Sequence, residues 1–143
     1  MRHFYYLCFL LLGFLSLPVW AGEDNRASEQ YTREYIMKDY MTKPDRTLQL
    51  LDEAEANSTM PLNIVDELRG VVYRNMYRNK SALHYTRRAY VRDSLFHNDP
   101  SHLLEMTVSM AELSHLLSDY KESMRYAVQG VELARELKDI QSE

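Results

Sequence analysis

With 143 residues the chain allows one domain, and 45% hydrophobic content with only four Gly and four Pro favours a core of long regular elements. The formal net charge of −4 comes with no segregated basic face, which argues against nucleic acid as a partner, because phosphate binding needs clustered Lys and Arg. The single cysteine, Cys8, excludes disulfide stapling.

Residues 1–21 read as a secretory signal: Arg2 and His3 supply a positive start, Phe4 to Leu17 an apolar run, and Val19-Trp20-Ala21 a cleavage site. Cleavage is expected after Ala21. The chain would then be exported, to the periplasm or the extracellular space, and would keep no thiol for catalysis. The alternative is an uncleaved anchor, but the run is short for a spanning helix and is broken by Gly13 and Pro18.

A polar lead-in over 22–27 precedes a helical domain over 28–143. The first helix begins near Ser28, with Tyr31, Tyr35 and Met41 at spaced positions, and Thr42-Lys43-Pro44 breaks it. Asp45 is expected to cap a second helix carrying Leu48, Leu51 and Ala54, which the turn at Asn57 to Pro61 ends. A third runs from Leu62 to Arg78, and a fourth, capped by Ser81, from there to Phe96. After His97-Asn98-Asp99-Pro100, Ser101 is the expected cap of a fifth helix reaching Leu117, and a sixth continues past Ser118-Asp119 to Ile140. No segment alternates like a strand. The reading is all-α, with antiparallel helix pairs over about 28–57, 62–97 and 101–140.

The last two pairs are the same unit written twice. Gly70 and Ala111, Ala82 and Ser123, and Ala89 and Gly130 are small residues that each recur 41 positions apart. Small side chains at fixed places let paired helices approach closely. Within one copy Gly70, Tyr73, Ala82 and Ala89 follow the G-x2-Y … A … A spacing, and the chain here resembles the tetratricopeptide repeat. Departures are Asp66 and Thr107 where that family prefers a large aromatic, Ser114 in place of the Tyr, and a period about seven residues longer than usual. The resemblance implies a short α-solenoid in which Gly70, Tyr73, Ala82, Ala89, Ala111, Ser123 and Gly130 are packing residues.

The inventory for chemistry is thin. Gly70 and Gly130 are isolated, so no phosphate loop forms. His97 and His102 are separated by Pro100 and read as a surface turn, while His84 and His115 lack a nucleophile at matching spacing. Pairs such as Asp66-Glu67 and Arg87-Arg88 read as solvated helix faces. The chain is read as no enzyme and is assigned no cofactor or metal.

In the resembled family the first helix of each pair lines a concave face. That implies a candidate ligand groove containing Glu67, Arg74, Asn75, Glu105, Glu112 and His115, with Ile64, Val71, Val108 and Leu116 between them. Glu67, Val71, Val108 and Glu112 stand where members that grip a terminal carboxylate carry Lys and Asn, which argues against such a clamp. The sixth helix shows two apolar stripes. Tyr120, Met124, Ala127, Val131 and Ala134 are expected to pack on helix five, leaving Tyr126, Gly130, Leu133, Leu137 and Ile140 for downstream repeats or self-association.

These features are similar to the extracytoplasmic sensor segments of bacterial membrane-bound histidine kinases and helix-turn-helix regulators. The implied function is protein or peptide binding as the sensory or scaffolding part of such a regulator, tethered to the membrane by a further C-terminal part. The alternative is a free-standing periplasmic or secreted binding or assembly protein.

Overall fold

The computed structural model describes residues 31–96 and 99–142, with side chains to Lys138, and every regular element among them is helical. The expected signal segment, the lead-in, the expected start of the first helix, His97 and the Ile140 side chain lie outside this description. In chain order the helices are α1 (Arg33–Met37), α2 (Pro44–Ala56), α3 (Leu62–Asn75), α4 (Asn79–Phe96), α5 (Pro100–Leu116) and α6 (Tyr120–Ser142).

Three caps differ from expectation. Pro44 itself opens α2, because its fixed φ suits the first helical position, so Asp45 sits inside the first turn. Asp99, not Ser101, caps α5, its carboxylate accepting from the Ser101 amide at 3.0 Å. Ser81 lies within α4, which already begins at Asn79.

That early start follows from how α3 ends. Tyr77 takes a left-handed conformation, φ 57°, and the Arg78 amide donates back to Tyr73 O at 2.9 Å while that of Tyr77 donates to Arg74 O at 3.0 Å. This pair of bonds is a Schellman stop. It recurs with Ser118 at φ 62° after α5 and with Ser58 at φ 52° after α2. Tyr77 and Ser118 are again 41 residues apart. Because Tyr77 is 90% exposed and packs on little, Tyr77→Gly should raise stability by up to about 1 kcal/mol, the cost of left-handed backbone for an L side chain. A urea melt would measure it.

The helices pack chiefly on their neighbours in sequence. In the α3–α4 hairpin Asn63 meets Asp93, Gly70 meets Thr86 and Tyr73 stacks on Tyr85, an antiparallel progression. α5 and α6 repeat it, with Gly130 beside Leu104 and Thr107 and His115 beside Tyr120. The two hairpins then lie side by side in parallel register. Arg74 reaches Glu112 from α3 to α5, and Arg87 reaches Tyr126 from α4 to α6. One core gathers Ile36, Leu51, Val65, Leu68 and Val72, and a second gathers Ala89, Leu103 and Met106.

α6 does not pack as expected. Tyr126 and Gly130 are buried, and Leu133 rests on the Ala89, Leu103 and Met106 cluster. Two features decide the choice: Gly130 lets α6 approach α5, and the Tyr126 hydroxyl accepts from Arg87 Nε at 3.0 Å. Tyr120, Met124, Ala127, Val131 and Ala134 therefore face outward, so the exposed stripe is the one expected to be covered.

Candidate binding groove

The α3–α4 hairpin is clamped by charge. Asp66, 1% exposed, lies among Arg69, Arg88 and Arg92. Arg88 Nε and Arg92 Nε stand 3.3 and 3.0 Å from Asp66 Oδ2, close enough for charge pairing but not aligned for hydrogen bonds. Arg69 turns its other face to Asp52 and Glu55 of α2, at 2.5 Å each. The Tyr85 ring receives Arg88 at 5.4 Å and Arg69 at 5.6 Å. Asp66 is thus an interior group and Arg88 a half-buried one, contrary to their reading as solvated faces. Arg87 is likewise engaged, over Tyr126.

Burial raises the Asp66 carboxyl above its ordinary value of 3.8, and Arg88, Arg92 and Arg69 only partly oppose it. Such a group binds its proton more tightly when folded, so its stabilising contribution is complete below the ordinary value and is lost as pH rises through the raised folded value. The wild type should therefore lose stability relative to Asp66→Asn as pH rises from about 3.8. Paired urea melts across that window would test the sign.

Beside this clamp runs a polar chain. Arg33 holds Glu67 at 2.6 Å, Glu67 meets His102 Nε2 at 3.1 Å, and His102 Nδ1 lies 3.2 Å from Asp93, which accepts from Asn63 at 3.1 Å. His102 is not a surface-turn residue but the joint between α3, α4 and α5. Glu67, expected in the groove, is spent in this chain. Asn75 is also withdrawn, donating to Tyr40 O at 3.3 Å.

Three of the six groove residues do come together. Arg74, Glu112 and His115, with Ala111, Leu116 and Ser123, line an open groove of about 430 Å³ where α3, α5 and α6 meet. The Arg74–Glu112 pair in this lining joins α3 to α5 at 2.6 Å, and both side chains are about half exposed. His115 leans edge-on to Tyr120 at 5.5 Å. Glu105 is exposed but lies outside this lining. Ala111 and Ser123, read as packing residues, are half-buried groove walls, whereas Gly70, Ala82 and Ala89 are buried between helices. Such a surface offers an apolar floor and one ion pair able to reorient toward a ligand. Among the described residues no cluster of His, Cys, Asp and Glu could hold a metal ion, and no helix is long and apolar enough to cross a membrane. Comparison of the chain with protein-family models, with curated proteins and with solved structures finds no match.

Proposed function

We propose that the chain is a non-enzymatic interaction module of the tetratricopeptide type, built as a short α-solenoid, whose groove at Arg74, Glu112, His115 and Leu116 takes an extended or helical segment of a protein partner. The observation that carries this reading is the groove itself: Leu116 is 58% exposed beside a solvent-accessible ion pair. Exposed apolar groups rimmed by charge mark interaction sites more often than chance surface. The leader adds export, so the partner or signal would be met outside the cytoplasm, in a sensory or scaffolding role for a membrane-bound regulator. A free-standing periplasmic or secreted binding protein is the second form of the same reading.

Photo-crosslinking from position 116 in intact cells tests it. A discrete protein adduct is expected there and not from exposed Arg78, and Glu112→Arg should abolish it. Because the Arg74–Glu112 pair is surface-exposed, that substitution should cost less than about 1 kcal/mol of stability. Adducts equal at 116 and 78 would refute the groove as a partner site. Export is tested separately, by an N-terminus at Gly22 in the extracytoplasmic fraction; an intact Met1 in the membrane fraction would replace it with the anchor.

A further inference from the structure

The outer side of α6 carries an apolar stripe that no described residue covers. Tyr120, Met124, Val128 and Val131 are 63%, 67%, 52% and 51% exposed, and steps of four, four and three put them on one side of the helix. One repeat earlier the counterparts of Met124 and Val131, Leu83 and Tyr90, are half-buried, while Arg87, the counterpart of Val128, is exposed. Beside them in α4 Thr86 and Asp93 are buried, and α5 contributes the cover through His102 at Asp93 and through the Leu103 and Met106 cluster at Tyr90. The face that seats a helix on α4 thus recurs on α6, with Ala134 replacing Asp93 and Val131 replacing Tyr90.

Charge beside the stripe says what kind of helix fits. One flank carries Lys121 and Arg125 in the first half of α6 and Glu132 and Glu136 in the second, all exposed. Lys121, Glu132 and Glu136 have no ion-pair partner among the described residues. Arg125 is fixed at the flank by Glu122 at 2.7 Å and by the Tyr126 ring at 4.2 Å. This row complements itself in one orientation only. When two such helices run antiparallel, Lys121 meets Glu136 and Arg125 meets Glu132, and both pairings share a midpoint between Val128 and Gln129. A parallel copy would bring the opposite flank, Ser123, Ala127 and Ala134, against this row and offer it no counter-charge.

We infer that α6 pairs with α6 of a second copy of this chain, antiparallel about a two-fold axis at Val128 and Gln129. Val128 and Val131 then face their own copies in an isologous homodimer interface, and Tyr120 and Met124 lie toward the exposed Arg135 and Lys138 of the second copy. The interface is independent of whatever fills the groove.

Cysteine cross-linking of the full chain in a Cys8→Ser background tests this. Val128→Cys should give a disulfide-linked dimer on mild oxidation, because the axis brings the two copies together. Tyr120→Cys should not, since about 17 residues of helix, roughly 25 Å, would separate its copies, far beyond the Cα separation of about 7 Å that a disulfide spans. Lys121→Glu with Arg125→Glu should cut the Val128→Cys yield at least tenfold, and adding Glu132→Lys with Glu136→Lys should restore it, with circular dichroism following helicity throughout. No dimer, equal yields at 120 and 128, or failure of the fourfold swap to restore the cross-link would each overturn the interface.

Discussion

Gly70→Ala will destabilise the protein by about 1–3 kcal/mol, the usual cost of overpacking a close helix contact, while Gly130→Ala will stabilise it by about 0.5–1 kcal/mol. In the 41-residue register Gly70 matches Ala111 and Gly130 matches Ala89, so the repeat alone admits alanine at both positions. The geometry does not. A Cβ on Gly70 would stand 2.7 Å from Thr86 Oγ1, with the Thr86 amide at 3.4 Å and Ala82 O at 3.5 Å behind it. Thr86 is buried and β-branched, so its χ1 cannot turn away freely. At Gly130 the nearest atoms, in Leu104 and Thr107, are both 3.7 Å away, which is ordinary contact, and the added methyl mainly removes the entropic cost of glycine in a helix. The decisive control is Thr86→Ala. In that background Gly70→Ala should lose most of its cost, and urea melts of the four combinations would give the coupling directly. A cost that survives Thr86→Ala would place the strain in the backbone of α4 instead.

The helix pairs were legible because close approach leaves a compositional trace: Gly70 and Ala82 are small where α3 and α4 nearly touch, and Ala89 where α4 meets α5. The turns were less legible. A Schellman stop usually shows itself as Gly, and here Tyr77 and Ser118 take the left-handed position, so the sequence carries no glycine flag. The charge clamp was missed for a different reason. Asp66 and Arg69 read locally as a surface pair at i, i+3, and their partners Arg88 and Arg92 arrive only when the hairpin closes. One signal was available: Asp66 stands where the resembled tetratricopeptide pattern prefers a large aromatic, and a carboxylate placed in a core must find cations. Thr107, its counterpart, solves the same burial by donating to its own Leu103 O at 2.7 Å. The two α6 stripes could not be ranked from periodicity, since both follow helical spacing; the Tyr126 hydroxyl bond to Arg87 breaks the tie.

Arg69→Ala should be among the most damaging single changes in the chain, at about 3–5 kcal/mol, because it removes the buried cation that joins Asp66 of α3 to Glu55 and Asp52 of α2. The Arg69 side chain is 7% exposed and that of Asp66 only 2%, so water cannot replace the lost guanidinium. Its arm to Asp52 contributes little, as that carboxylate is 70% exposed and well screened. The loss therefore lies in the arms to Asp66 and Glu55 and in the stack on Tyr85. This gives a test that separates charge from packing. Arg69→Met keeps most of the apolar stem but still leaves Glu55 without its partner and Asp66 with Arg88 and Arg92 alone, so it should be nearly as costly as Arg69→Ala. Asp66→Leu combined with Arg69→Met should recover much of the stability, since replacing a buried ionic group by apolar side chains of similar volume is often neutral, although Arg88 and Arg92 must then turn outward to solvent. Chemical denaturation of both single variants and the pair decides it: additive losses would mean that Asp66 and Arg69 act independently, with Arg88 and Arg92 alone sustaining the buried carboxylate.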